Sequence, residues 1–217
     1  LKCMEGETAA SIEQQLRMFH ERVLPTLDEN IKCGNSLIDT DGFDLFPDDE
    51  VSKIRPFNWA RAFPMVFGSG GFNAVIGNPP YFKVSGLEDR FQFDYLKNAY
   101  RTAVFKSEAY AMFTERASKL LATDGLCSYI VPNSFLGGVY MAPLRKVIIE
   151  DLRLRSLLML KNEKVFKDAK LDSVIFIAQR ATGRGAKAVI RQCSKEDMSS
   201  SPSDQELVPY SELLASV

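Results

Sequence analysis

A chain of 217 residues, 46% hydrophobic and 25% charged, has the make-up of one large or two small globular domains. Its formal net charge of −1 provides no overall positive field, so any nucleic-acid contact must be local. The four cysteines, Cys3, Cys33, Cys127 and Cys193, are too scattered for a zinc knuckle or redox pair, and no apolar run is long enough to cross a bilayer. With no basic-then-apolar leader, a cytoplasmic location is expected.

In chain order, Ile12, Leu16, Phe19 and Val23 recur at steps of three and four, which predicts a helix over 12–24 closed by Pro25. His20, the single histidine, sits at the end of that helix and receives no role. Residues 31–35 read as a short strand entering a turn. The acidic stretch 40–55, broken by Gly42 and Pro47, reads as a surface loop. An apolar cluster at 59–67 precedes the breaker Gly68-Ser69-Gly70-Gly71, and 72–76 reads as a buried strand.

From Ser107 the period is helical again, with Tyr110, Phe113, Ala117, Leu120 and Leu121 on one face and Gly125 suited to its end. That stripe is core packing. A strand follows at 126–131, a helix at 142–151, and strands at 155–161, 173–178 and 188–192. The stretch 199–204 is polar and contains proline. Apolar strands alternating with helices predict an α/β fold with a mostly parallel sheet covered by helices on both faces. Ligands of such sheets sit at the carboxyl ends of the strands, where Asn78 falls.

Asn78-Pro79-Pro80-Tyr81 carries the chemistry. Proline pushes the residue before it into extended geometry, and two prolines fix two φ angles and remove two backbone donors. What is left is a rigid stub offering two acceptors, the Asn78 side-chain oxygen and the Pro79 carbonyl, beside an aromatic ring. Two acceptors and a flat ring suit a planar base with an exocyclic amine: each acceptor takes one N–H and the ring stacks. A base inside a duplex has to be flipped out to reach such a stub.

Residues 72–81, Phe-Asn-Ala-Val-Ile-Gly-Asn-Pro-Pro-Tyr, resemble the catalytic motif of S-adenosylmethionine-dependent amino-methyltransferases. Three further stretches resemble the large restriction–modification type of DNA adenine-N6 methyltransferase: Asn30 to Leu37, Tyr110 to Phe135, and Val165 to Phe176. The resemblance implies a Rossmann-like methyltransferase fold and methyl transfer from S-adenosylmethionine to adenine N6 in double-stranded DNA. It makes Asn78, Pro79, Pro80 and Tyr81 catalytic. Phe166 would stack on the flipped adenine opposite Tyr81, and Asn35, where many relatives carry Asp, would contact the cofactor's adenine. No metal is implied. Families that methylate protein glutamine or an RNA amino group share the four-residue motif and form the rival reading, with an inactive DNA-binding fragment as a third.

The family's glycine-rich cofactor loop and its ribose-binding acid belong before Asn30, yet residues 1–29 hold a lone Gly6 and no such loop. With Leu1 at the start, this predicts a fragment of a larger protein, incomplete in the first part of its sheet. The expected layout is a helical lead-in at 1–29, a partial catalytic domain at 30–198 and a connector at 199–217 toward a target-recognition domain. Its partners would be DNA and the rest of the parent chain, and an exposed sheet edge would favour association between copies. Lys83, Arg90 and Lys97 read as a solvated face rather than phosphate contacts.

Overall fold

The computed structural model describes residues 29–41, 48–87, 89–104, 106–160, 172–181, 187–193 and 206–209, with 48–50 and the last two stretches described by backbone alone. The expected helix over 12–24 with His20, the residue Phe166 and the polar stretch 199–204 lie outside the described residues. The chain divides into two compact units, Leu1–Gly34 and Asn35–Val217. Of the first, the described part is a turn at 29–30 and its sequel, where Lys32 pairs with Glu29 at 3.6 Å.

The second unit opens with a turn at 35–41 and three short helices: α1 (Asp48–Ile54), α2 (Trp59–Ala62) and α3 (Pro64–Gly68). Two corrections fall here. The stretch 31–35 is not a strand; Asn35 forms only an isolated bridge to Pro56. The expected loop over 40–55 contains α1. Asn58 caps α2, its side chain accepting from the Arg61 amide at 2.8 Å.

Strand β1 (Phe72–Gly77) leads to the Asn-Pro-Pro stub, and α4 (Arg90–Ala99) follows. Helix α5 (Ala109–Leu120) runs directly into β2 (Leu121–Pro132). Gly71 makes that junction possible: it holds φ +121°, and a Cβ there would lie 2.6 Å from the Leu120 carbonyl oxygen. Helix α6 (Ala142–Lys146) continues through one wider turn, Val147–Asp151, into β3 (Arg153–Leu160). Strands β4 (Ser173–Gln179), β5 (Lys187–Cys193) and β6 (Glu206–Pro209) complete the described elements.

The six strands form one sheet in the order β1-β2-β4-β3-β5-β6. Strands β1, β2, β3 and β5 run one way; β4 and β6 run against them. The sheet is therefore mixed. The crossover from β2 to β3 through α6 leaves one place open between two parallel strands, and β4 turns back to fill it. Uniformly apolar strands report burial and not direction, so this reversal leaves no mark in the sequence.

One sheet face carries the main core. Cys127, Tyr129 and Val131 of β2 and Val174, Phe176 and Ala178 of β4 pack under Tyr110, Ala111 and Ala117 of α5 and Leu144 of α6. A second core, with Leu37, Ile38, Leu96, Tyr100 and Met112, lies on the other side of α5. That helix is buried on nearly every side, which its small Ala111, Ala117 and Ser118 permit. On the opposite face, among the described residues, Ile76 is 86% exposed, and Leu126 and Ile177 are also exposed. Strand β1, expected to be buried, thus covers only one of its faces.

Candidate active site

The stub leaves the sheet at the end of β1, where Gly77 pairs with Tyr129 of β2. Pro79 is buried, while Asn78 and Pro80 are exposed. Buried Pro79 fixes the backbone, and the flanking Asn78 and Pro80 side chains face the surface. The Tyr81 hydroxyl hydrogen-bonds to Asn78 Oδ1 and to the Ile130 carbonyl, the latter at 2.9 Å. The Tyr81 ring meets Tyr110 edge-on with centroids 6.1 Å apart. Burial pushes the Tyr81 hydroxyl above its ordinary range, so it keeps its proton at neutral pH.

Beside the stub lies a cavity of about 450 Å³. Asn78, Pro79 and Pro80 form one end. Trp59, Phe72, Phe113 and Tyr129 supply aromatic walls, and Ser36 and Arg116 supply polar ones. Three edge contacts around Phe72, from Trp59, Phe63 and Phe67 at 5.9, 5.4 and 5.8 Å, hold the aromatic wall together. No Asp, Glu or His lines the cavity among the described residues.

The segment 35–39 reaches the cavity through Ser36. The carbonyls of Asn35 to Ile38 are each satisfied: Asn35 by the Ile38 amide, Ser36 by Trp59 Nε1 and Arg116 Nε, Leu37 by the Tyr100 hydroxyl, and Ile38 by the Phe57 amide. Asn35 Oδ1 accepts from the Leu37 amide at 3.2 Å, a local turn that leaves the side-chain NH2 to other partners.

The structure thus brings Asn78, Pro79 and Pro80 to one cavity, with Tyr81 bonded behind Asn78. Asn35 stands one residue away from the wall that Ser36 forms, and Phe166 lies outside the described residues. Sequence reading placed Trp59 in an anonymous apolar cluster and Phe113 in core packing, and it overlooked Ser36 and Arg116. The spacing of Phe113 and Arg116, three apart on α5, was the available signal.

Over residues 9–166 the sequence matches the Eco57I restriction-modification methylase family. The chain belongs to this family. Within it, the chain is 31% identical over 170 residues to the type II restriction enzyme and methyltransferase RM.Eco57I of Escherichia coli, an alignment that takes in 77% of this chain and 16% of that protein. It is 29% identical over 142 residues to the putative type II restriction enzyme and methyltransferase RM.MjaORFECS2P of Methanocaldococcus jannaschii, covering 65% of this chain and 11% of the relative. The chain therefore spans under one fifth of the length of either.

Among solved structures, the type IIG restriction endonuclease BpuSI superposes with TM-score 0.52 at 18% identity, over 68% of this chain and 20% of that one. The M protein of the type I restriction enzyme EcoKI superposes with TM-score 0.50 at 16% identity, over 89% of this chain and 34% of that one. At these identities the likeness is one of fold, and the fold is the α/β, Rossmann-like one expected for the family.

Proposed function

We propose that this chain is the catalytic portion of a restriction–modification DNA methyltransferase that transfers a methyl group from S-adenosylmethionine to N6 of adenine. The observation that carries the reading is the Asn78-Pro79-Pro80 stub at the carboxyl end of β1, forming the end of an aromatic-walled cavity. The expected layout goes with it: catalytic residues 30–198, a lead-in before them and a connector after, acting on duplex DNA in the cytoplasm.

The cavity fits the cofactor's chemistry. Its volume falls within the roughly 300–1,000 Å³ of small-molecule sites. Aromatic walls suit a flat adenine and attract a sulfonium through their π faces. The ribose is the part without a described partner, since no carboxylate lines the cavity among the described residues. When bound, S-adenosylmethionine supplies an electrophilic methyl group.

The rest is positioning by the chain's own residues. Asn78 Oδ1 and the Pro79 carbonyl each accept one N–H of the target amine, turning its lone pair out of conjugation with the ring. Asn78 Oδ1 is already engaged by Tyr81, but the hydroxyl hydrogen has a second acceptor at Ile130. An arriving amine can therefore take Oδ1 without stranding the phenol. Tyr81 and Phe166 flank the base, and Asn35 helps hold the cofactor.

The test is transfer of labelled methyl to unmethylated duplex DNA by the parent-length protein and by Asn78→Ala. Label on adenine N6, lost by a factor of at least about 100 in the variant, is expected when an acceptor for developing charge is removed. Label on RNA or protein in place of DNA would transfer the case to another amino-methyltransferase, and equal rates for the two proteins would remove Asn78 from the chemistry.

A further inference from the structure

Arg116 is the one cation on the described cavity wall, and its bonds point away from any solvating role. Its side chain is 16% exposed. Nε donates to the Ser36 carbonyl at 3.1 Å, and Nη2 donates to Asp39 Oδ2 at 3.3 Å. Asp39 is held in turn: Oδ1 accepts from Asn58 Nδ2 at 2.9 Å and from the Thr40 amide at 2.7 Å. The Ser36 carbonyl also accepts from Trp59. One guanidinium fork thus ties both ends of the segment 36–39 to α5.

That tie has a geometric consequence. Helix α5 runs without a break into β2, and β2 pairs in parallel with β1, whose end carries Asn78. Arg116 therefore links the Asn35–Asp39 segment to the frame that holds the methyl-accepting end of the cavity. Lysine has three donors on one compact ammonium but no rigid planar fork to hold a carbonyl and a carboxylate at this spacing.

We propose that Arg116 is a positioning residue for the cofactor: it fixes the Asn35–Asp39 wall against the cavity and so sets cofactor affinity, without touching the methyl-transfer step. The inference rests on the cavity being the S-adenosylmethionine site. It separates binding from chemistry, because its effect passes through Ser36 and Asn35 and not through Asn78.

The experiment titrates S-adenosylmethionine into the parent-length protein by calorimetry, beside Arg116→Met, Arg116→Lys, Asn35→Ala and the Arg116→Met/Asn35→Ala double variant. Losing charge-assisted bonds predicts about ten-fold weaker binding for Arg116→Met, with kcat at saturating cofactor within about two-fold of the original. Arg116→Lys, which keeps a cation beside Asp39, is expected to lose about three-fold; should the methionine variant unfold, this variant carries the test. The double variant is expected to bind no more than about two-fold worse than Asn35→Ala, because both changes act through one wall. Unchanged affinity in folded Arg116→Met and Arg116→Lys would overturn the proposal. So would losses that multiply in the double variant, which would mean that Arg116 acts independently of the wall that carries Asn35. If the unaltered protein binds no S-adenosylmethionine, the functional reading itself fails and this inference with it.

Discussion

The Tyr81 hydroxyl has one hydrogen and two acceptors within reach, Asn78 Oδ1 and the Ile130 carbonyl. The ring is a separate asset, since it packs against the main core beside Tyr110 and remains partly exposed. Substitution can separate the two. Tyr81→Phe keeps the ring and gives up the bond that orients Asn78, a loss of about 1 kcal/mol or roughly five-fold in rate. With the ring stacked on the target base as proposed, Tyr81→Ala also removes that surface, roughly another 1–3 kcal/mol. Single-turnover methyl transfer to duplex DNA should therefore rank the original above Phe and Phe well above Ala. An alanine variant as fast as the phenylalanine one would show that the ring does not stack on the base.

Among the elements, α4 is the one the sequence announced and the reading missed. Asp89 caps it, accepting from the Phe91 and Gln92 amides at 2.9 and 3.1 Å, while Gln92 Nε2 returns to Asp89 Oδ2 at 3.0 Å. This is an acid–x–x–Gln capping arrangement, visible in the residue types alone. Partial burial raises the Asp89 carboxyl, but the bonds from Gln92 and Phe91 outweigh it and hold the group below its ordinary value. Its contribution is therefore present above the ordinary aspartate range and is lost as the pH falls through the lowered folded value. Asp89→Ala should cost about 1 kcal/mol at neutral pH, and the difference should shrink toward zero in strong acid. Urea unfolding of both proteins at about pH 7 and near pH 2 checks this; a difference that persists undiminished in acid would assign the loss to something other than the cap.

Other elements were legible for reasons that can be named. Strands β1 and β4 and the helix at 142–151 emerged within a residue or two, because each has a dense apolar pattern ended by Gly, Pro or a charge. The end of α5 did not. Gly125 is a natural helix stop, but the chain changes to strand at Leu121, where Gly71 on β1's approach leaves room for the crossing backbone. That reason is tertiary and leaves no local mark. The site divides the same way. Asn78 to Tyr81 were readable as a candidate site because the motif is contiguous in sequence, whereas Ser36, Trp59 and Arg116 meet only through folding.

At the scale of the whole molecule, the sheet has two unlike faces. Phe176 is fully buried among Tyr129 and Phe135, with ring centroids 6.1 and 6.2 Å away. Ile76, on the other face and near the open end of the sheet, is 86% exposed. Apolar character thus goes to burial at one position and faces solvent at the other, although both residues sit in strands of similar composition. The consequence for stability is unequal. Phe176→Ala empties a packed site and should cost about 3–5 kcal/mol. Ile76→Thr keeps a β-branched side chain suited to a strand and removes little burial, so it should stay within about 0.5 kcal/mol of the original. Denaturant unfolding of the 217-residue chain at low protein concentration measures both. A penalty for Ile76→Thr comparable to that for Phe176→Ala would mean that the open face is covered in solution, and the contrast between the two faces would then have to be abandoned.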